Sequence, residues 1–182
     1  RYLPNRKDVR AKLYAAGPQL NYKSAEEAQP GDILVFDAGG ETRAGVSGGV
    51  TTIRFLVRGG AGMVIDGAMR DVPELEAMPM QTYMRRGHAS SVSPIMMSVD
   101  YQVPVRIGSV TVIPGDILVG DTTGILVIPA DIVEKVADTA LEHDEQEEFQ
   151  RNLLLKGESI YEVYPMNAAT RKRYEEYRKN KR

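Results

Sequence analysis

The stretch Pro30-Gly31-Asp32-Ile33-Leu34-Val35-Phe36-Asp37 sets a tight turn directly before a short run of apolar residues. A Pro-Gly turn followed by such a run predicts a β-strand. Since successive residues of the run are apolar, we expect both faces of this strand to be covered. The first six residues of the stretch return at positions 114–119. This repetition indicates either two turn–strand units of similar geometry, which we favour, or a short internal repeat.

A strand–helix–strand unit is predicted after the first copy. A glycine-rich loop is expected at residues 39–49, followed by a helix that ends at Arg58-Gly59-Gly60. Met63-Val64-Ile65 then predicts a short buried strand, ended by Asp66-Gly67. Strands joined by a helix favour a parallel pair. The helix face that we expect to be buried carries four apolar residues at helical spacing, Val50, Ile53, Leu56 and Val57.

The rest of the chain predicts smaller elements around this unit. A short helix is expected near residues 23–28, a helical turn at 74–78, a hairpin at 103–113 and a strand at 124–128. A long helix capped near Asp131 should follow. We expect its apolar face to carry six residues, Ile132, Val133, Val136, Ala137, Ala140 and Leu141. Residues 161–182 have little to bury, which predicts a tail that frays or packs on a neighbour.

Length and composition exclude several classes of protein. The 182 residues suit one globular domain, and 23 basic against 25 acidic residues give a net charge of −2, which is unusual for a broad nucleic-acid-binding face. With no cysteine, the sequence holds no disulfide, zinc–thiolate site or cysteine nucleophile. No apolar run is long enough for a transmembrane helix. The sequence opens at Arg1, so we expect the native N-terminus to lie upstream.

The glycine loop is the first candidate site. Gly48, Gly49, Val50 and Thr51 lead directly into the predicted helix, where backbone N–H groups lack helical partners and the helix dipole favours negative charge. Such a position binds a carboxylate or a phosphate. A tight packing turn that needs glycine is the alternative. Ser47, Ser90 and Ser91 lack a nucleophile elbow, and surface or interface positions are favoured for His88 and His143.

A charged turn follows the predicted strand at residues 63–65. In a parallel pair this turn lies at the same sheet edge as the glycine loop, so Arg70, Asp71 and Glu74 are expected beside that loop. The Arg70 guanidinium suits an anionic oxygen, and the two carboxylates are hard ligands suited to Mg²⁺ or Mn²⁺. A solvated surface ion pair is the alternative.

Several separated motifs together resemble the RraA-like family, which includes class II 4-hydroxy-4-methyl-2-oxoglutarate / 4-carboxy-4-hydroxy-2-oxoadipate aldolases, oxaloacetate decarboxylases and regulators of ribonuclease E activity. The resemblance runs over residues 31–129. It rests on motifs that stand in the family's order: Arg58-Gly59, Gly62-Met63-Val64-Ile65-Asp66-Gly67, Arg70-Asp71, Val112-Ile113-Pro114-Gly115-Asp116, Gly120-Asp121, Gly124 and Pro129.

The resemblance also implies how the site is built. Family aldolases carry an acidic residue, twenty further residues and then Arg-Asp, whereas this chain has Gly49 at the acidic position. A second family form has glycine there and an acid three residues after the aspartate, which Glu74 fits. The resemblance therefore implies a divalent ion, Mg²⁺ or Mn²⁺, on Asp71 and Glu74. It also implies a 2-oxo acid whose carboxylate binds the amides of residues 48–51, with Arg70 as the catalytic group.

By the same resemblance, the fold is α/β, a three-layer β/β/α swivelling-type domain at residues 1–130, with a C-terminal helical extension at residues 131–182 that packs on the core or on a neighbouring subunit. The implied activity is a cytoplasmic, pyruvate-releasing lyase that assembles as a homotrimer or hexamer. A non-catalytic regulator that binds a ribonuclease is the alternative. Thr51-Thr52, where the family usually has Leu-Ala, leaves open a different acid substrate, such as a sugar-acid derivative. The basic end of the chain favours a solvated helix over RNA binding.

Overall fold

The computed structural model describes residues 1–181 and divides the chain into two compact units, Arg1–Val127 and Ile128–Arg182. The strands, in chain order, are β1 (Tyr2–Pro4), β2 (Ile33–Gly45), β3 (Gly62–Met69), β4 (Gln81–Gly87), β5 (Met96–Ser98), β6 (Val105–Ile107), β7 (Val110–Val112), β8 (Ile117–Gly120) and β9 (Ile125–Ile128). The helices of the first unit are α1 (Lys7–Ala16), α2 (Leu20–Glu27), α3 (Gly49–Val57) and α4 (Val72–Glu76).

A parallel three-stranded sheet in the order β2–β3–β4 organises the first unit. Strands β2 and β3 pair from Ile33 with Gly62 to Asp37 with Asp66, and α3 connects them. Helix α4 makes the second crossover, from β3 to β4. The β6–β7 hairpin and the two-stranded pairs β1–β5 and β8–β9 complete the unit. The predicted α/β class, the parallel pair and the hairpin are confirmed.

The repeated hexapeptide folds into the same turn at both of its positions. Gly31 and Gly115 adopt left-handed backbone angles, with φ of 90° and 100°. Asp32 Oδ2 and Asp116 Oδ2 each accept the backbone N–H three residues upstream, both at 2.8 Å. The first copy leads into β2, which pairs with β3 in the parallel sheet, and the second leads into β8, whose Ile117 and Val119 are exposed. The two copies are therefore turn–strand units of like local geometry in different surroundings.

The predicted buried face of α3 is wrong at three of its four residues, since only Leu56 packs against the core, where it is partly buried. Val50, Ile53 and Val57 are 84%, 48% and 70% exposed, whereas Phe55 and Thr52 are fully buried. The opposite side of the helix faces the core, because Phe55 packs in the same apolar cluster as Met63 and Ile65 of β3. Val50, Ile53 and Val57, which recur at helical spacing, thus form an exposed apolar stripe.

Several element boundaries also differ from the predictions. The glycines at 39 and 40 lie within β2, where the pairing with β3 shifts register and both residues have positive φ; they mark bulges rather than a loop. Strand β3 continues past Asp66-Gly67 to Met69, and all eight of its residues are buried. Helix α1 and strand β4 were not predicted, since α1 buries no side chain and β4 carries no continuous apolar run.

The second unit is a helical hairpin. A 3-10 turn at Ala130–Ile132 leads into α5 (Val133–Leu155), which is followed by α6 (Ile160–Val163) and α7 (Ala168–Lys181). Asp131 makes no capping hydrogen bond, so that predicted cap is wrong. The expected apolar face at the start of α5 is partly or fully exposed. The buried residues of α5 lie near its end, at Phe149, Gln150 and Leu153.

The prediction of a frayed tail is wrong for the described residues 161–181. Val163 and Tyr174 are buried with Phe149, whose ring centroid lies 5.5 Å from that of Tyr174. Basic side chains of this segment also pair with acids of the same unit, in four salt bridges: Arg173–Glu158, Arg178–Glu142, Arg178–Glu145 and Lys181–Glu148. Residue 182 lies outside the described part of the chain. Among residues 1–181, no helix combines the length and the apolar character needed to cross a membrane.

Candidate active site

The candidate site lies where β2 and β3 end at the same edge of the sheet. Residues 46–48 connect β2 to α3, and Arg70 and Asp71 connect β3 to α4. The two connections are hydrogen-bonded to their neighbours: Val46 N–H donates to Ala68 O at 2.9 Å, and Arg70 N–H donates to Ser47 O at 3.0 Å. The glycine loop and the charged turn are therefore held side by side, as the parallel-sheet argument predicts.

Asp71 binds the glycine loop directly. Its Oδ2 accepts the Gly49 N–H at 2.9 Å. Asp71 also adopts a left-handed backbone conformation, with φ of 61° and ψ of 36°, and it does not cap its own helix α4. A non-glycine residue in that region costs free energy, and such residues concentrate at functional sites. The left-handed backbone of Asp71 thus accompanies a carboxylate that points to the start of α3.

Glu74 reaches the same loop from the first turn of α4. A Cβ built on Gly49 would overlap Glu74 Oε2 and would lie 3.1 Å from Glu74 Cδ. A Cβ built on Gly48 would overlap Asp71 Oδ2. The two carboxylates therefore stand over adjacent glycines, and each occupies space that a side chain in the loop would need.

Arg70 lies against the same loop with an unpaired guanidinium nitrogen. Its Nε is buried and has no hydrogen-bond partner among residues 1–181. A Cβ on Gly48 would lie 3.3 Å from both Arg70 Nε and Nη2, so the guanidinium stands beside that glycine. Arg70 Cγ packs on Gly45, where no Cβ could be added without contacts of 2.5 Å to Cγ and 2.7 Å to Arg70 N. The role of Gly45 as the seat of Arg70 was not predicted, because nothing in a single sequence distinguishes it from the neighbouring glycines.

Some backbone amides at the start of α3 are hydrogen-bonded within the protein, and others have no partner there. Asp71 already accepts the Gly49 N–H, and Thr52 N–H donates to Gly48 O at 3.2 Å. No hydrogen bond within residues 1–181 engages the amides of Val50 and Thr51. Of the four amides predicted to bind a carboxylate, that of Gly49 is engaged by Asp71, whereas those of Gly48, Val50 and Thr51 donate no hydrogen bond within residues 1–181.

The donor set suits a hard divalent ion. Asp71 and Glu74 supply carboxylate oxygens, and both are exposed enough to leave room for water ligands. Among the described residues no group of three or more histidine, aspartate and glutamate side chains is gathered as a metal centre. Two carboxylates with retained water are consistent with Mg²⁺ or Mn²⁺, which keep several waters in many protein sites.

Two other titratable residues lie near this sheet edge. His88 follows β4, donates its backbone N–H to Met69 O at 2.9 Å and accepts the Ser90 N–H at Nδ1. Asp66 is 4% exposed, pairs with Arg85 Nε and accepts the Gly108 N–H at 3.1 Å. Asp66 therefore ties β3 to β4 and to the β6–β7 hairpin, a structural role that the sequence did not reveal.

Comparison with known proteins identifies the family of this chain. A family model described as RraA-like, Aldolase/RraA, matches residues 11–127. The chain is 35% identical over 118 residues to a Halalkalibacterium halodurans protein named "Putative 4-hydroxy-4-methyl-2-oxoglutarate aldolase", covering 65% of this chain and 56% of that protein. It is 32% identical over 107 residues to the 4-hydroxy-4-methyl-2-oxoglutarate aldolase of Thermus thermophilus, covering 59% of this chain and 65% of that protein.

A solved structure matches the fold. The crystal structure of RraAS2 from Streptomyces coelicolor, described as an unusual member of the RNase ES inhibitor RraA protein family, has a TM-score of 0.71 and 32% identity to this chain. The match covers 82% of this chain and 71% of that one. The chain spans less than two thirds of the length of the two aldolase relatives.

Proposed function

The chain belongs to the RraA-like family, and from that membership and the site geometry we propose that it is a divalent-metal-dependent lyase. Its substrate is a 2-oxo acid, and its product is pyruvate. The relatives named as 4-hydroxy-4-methyl-2-oxoglutarate aldolases support a carbon–carbon lyase of this kind. Cleavage of a 4-hydroxy-2-oxo acid and decarboxylation of oxaloacetate both pass through the same pyruvate enolate, so one site serves either reaction.

One observation carries the proposal. Asp71 and Glu74 converge on the adjacent glycines 48 and 49, beside the unpaired Arg70 guanidinium. Two carboxylates on an otherwise bare loop suit an ion that bridges protein and ligand. A buried cationic nitrogen without a partner suits an anionic oxygen of that ligand.

The residues of this chain perform distinct tasks in the proposed reaction. The substrate carboxylate binds the amides of Val50 and Thr51 at the start of α3. The bond between C3 and C4 breaks, and its electron pair moves into the 2-oxo group to give an enolate. Arg70 stabilises the negative charge on that oxygen. With a 4-hydroxy-2-oxo acid, the C4 hydroxyl gives up its proton as the other product leaves as a carbonyl compound, whereas oxaloacetate loses carbon dioxide. A proton added at C3 completes pyruvate.

Asp71 and Glu74 would hold the Mg²⁺ or Mn²⁺. When bound, such an ion supplies Lewis-acid stabilisation of the charge that develops on the 2-oxo group. The left-handed backbone at Asp71 and its hydrogen bond to Gly49 fix the position of one ligand. The second ligand is adjustable, since Glu74 reaches the loop through a longer side chain.

The direct test is pyruvate release from oxaloacetate and from 4-hydroxy-4-methyl-2-oxoglutarate, with Mg²⁺ or with a chelator. We expect metal-dependent turnover on at least one substrate and its loss in Glu74→Gln. Glu76→Gln is a matched control, because Glu76 is exposed on the same helix α4. Absence of metal-dependent turnover on both substrates, or equal loss in both variants, would contradict the proposal.

A protein-binding regulator is the second candidate, supported by the structural match to a member of the RNase ES inhibitor family. It predicts ribonuclease binding that survives Asp71→Asn and Glu74→Gln. Measurement of ribonuclease inhibition with these variants separates the two functions, since only the lyase requires the carboxylates.

We further propose that the protein acts in the cytoplasm as a homotrimer or a hexamer. The exposed apolar stripe of α3, formed by Val50, Ile53 and Val57, supports an interface next to the candidate site. Light scattering of the wild type and of Val50→Glu tests this assembly. A monomeric wild type would contradict it.

A further inference from the structure

Ser47 carries a buried hydroxyl without a partner. The residue is 4% exposed, and its Oγ has no hydrogen-bond partner among residues 1–181. A buried hydroxyl that lacks a partner destabilises the folded state, so each such group in a folded protein requires an explanation. Ser47 immediately precedes the two glycines over which Asp71 and Glu74 stand.

The neighbouring hydroxyl on the same loop shows the contrast. Thr52 Oγ1 is also buried, and it donates to Gly48 O at 3.0 Å. Of the three buried hydroxyl-bearing residues here, Ser47, Thr51 and Thr52, only Ser47 has a buried oxygen without a partner. Ser47 is not free to turn away as a whole, since its carbonyl accepts the Arg70 N–H and the preceding Val46 N–H donates to Ala68 O.

The unpaired groups of the described chain are not scattered at random. Four buried side-chain atoms have no partner among residues 1–181, and two of them are Ser47 Oγ and Arg70 Nε. These two residues are joined directly by the 3.0 Å hydrogen bond from Arg70 N to Ser47 O. The Arg70 Nε–H can only donate, whereas the Ser47 hydroxyl both donates and accepts, and no hydrogen bond joins the two groups. An acceptor such as a carboxylate or enolate oxygen would take a hydrogen bond from each of them.

We propose that Ser47 is a further substrate-binding residue, whose hydroxyl shares an anionic oxygen of the bound 2-oxo acid with Arg70 Nε. This inference rests on the proposed function. It adds a side-chain donor to the amides of Val50 and Thr51. Together they form a binding site in which one end of the substrate meets neutral donors and one guanidinium.

The test compares two variants that each remove an unpartnered buried hydroxyl. Ser47→Ala removes the one at the loop, and Thr82→Val removes the one on β4, at the register position opposite Met63. Neither loses a hydrogen bond within the described chain, so neither variant should unfold at a lower temperature than the wild type. The dissociation constant of pyruvate at saturating Mg²⁺ is measured by ligand-observed NMR, alongside kcat and KM for oxaloacetate.

We expect Ser47→Ala to bind pyruvate about tenfold or more weakly, as for the loss of a hydrogen bond to a charged group, and Thr82→Val to bind as the wild type does. Ser47→Cys keeps the size with a weaker donor and should fall between them. Equal affinity in Ser47→Ala and wild type, or an equal loss in Thr82→Val, overturns the role of Ser47. Failure of the wild type itself to bind pyruvate overturns the proposed function, and the two failures are thus distinguishable.

Discussion

The Glu74 carboxylate occupies the space that a side chain on Gly49 would fill. The two residues lie on different elements, α3 and α4, and are brought together by the turn at Asp71. An acidic side chain can therefore be delivered to this point from either backbone position, which gives a physical reason for glycine at one and glutamate at the other.

Gly49→Ala should weaken metal binding without weakening the fold. The added Cβ overlaps only the far end of a flexible side chain, so Glu74 moves aside and the backbone stays in place. Alanine is better than glycine by up to about 1 kcal/mol inside a helix, which favours an unchanged or slightly higher Tm. We expect about tenfold weaker Mn²⁺ binding by calorimetry. Unchanged affinity would show that Glu74 is not a ligand.

Gly49→Glu combined with Glu74→Ala should restore much of what Glu74→Ala loses. The double variant moves the carboxylate to the other backbone position while keeping one acid at the same place. We expect Mn²⁺ affinity within about tenfold of the wild type, against a loss of about 100-fold for Glu74→Ala alone, on the scale at which 1.4 kcal/mol is tenfold. Double and single variants of equal affinity would refute the equivalence of the two positions.

Asp71→Asn should separate folding from metal binding. The asparagine side chain still offers an oxygen to the Gly49 N–H, and asparagine tolerates left-handed φ. Unfolding free energy should remain within about 1 kcal/mol of the wild type, whereas metal affinity should fall at least about tenfold with the lost charge. Chemical denaturation and Mn²⁺ titration check the two parts. A variant that unfolds readily would assign Asp71 mainly to the turn.

Gly45→Ala should disturb Arg70 through close packing. Its Cβ would lie 2.5 Å from Arg70 Cγ and 2.7 Å from Arg70 N, and the backbone atom cannot rotate away. Overpacking of this kind costs about 1–3 kcal/mol. Gly17→Ala is the control, because its Cβ meets nothing within 4 Å. We expect lower stability and lower kcat only in Gly45→Ala, measured by urea unfolding and pyruvate release.

Tyr2→Phe should reveal a pH-dependent anchor of the same loop. The Tyr2 hydroxyl donates to Val46 O at 3.1 Å, and burial raises the pKa of Tyr2 above its ordinary value of 10.0, with smaller contributions from nearby Tyr14 and Tyr22. The folded state thus prefers the neutral phenol. This contribution is complete below about pH 10, the pKa of an unperturbed tyrosine, and is lost as the pH rises above it.

Below pH 10 we expect Tyr2→Phe to be less stable than the wild type by about 1 kcal/mol, because the Val46 carbonyl loses its donor. Above pH 10 the difference should shrink, since only the wild type must keep a buried phenol protonated. Urea unfolding of both proteins at pH 8 and pH 11 measures this difference in unfolding free energy. A difference that is constant with pH would contradict the anchoring role.

The sequence predicts the parts of this molecule that are decided locally. The strands at Ile33 and Met63, the connecting helix and the hairpin at Gly108-Ser109 follow from turn residues and apolar runs. The placement of Arg70, Asp71 and Glu74 beside residues 48 and 49 follows from one further step, the common edge of parallel strands.

What the sequence misses depends on tertiary packing. Helix α3 has apolar residues on both sides, and periodicity alone selected the side of Val50 and Val57 over that of Phe55. The burial of Asp66 depends on Arg85, a residue of an adjacent strand that was itself not predicted. The seat of Arg70 on Gly45 is a contact between distant backbones, which leaves no periodic signal.

The two Pro-Gly-Asp-Ile-Leu-Val segments allow one sequence to be compared in two surroundings of the same protein. The two segments are identical in sequence, so the difference between β2, which belongs to the parallel sheet, and β8, whose Ile117 and Val119 are exposed, does not arise within them. The hexapeptide determines the turn, whereas residues elsewhere in the chain determine which strands each copy packs against. Grafting this hexapeptide into another protein should accordingly transfer a bend and nothing more.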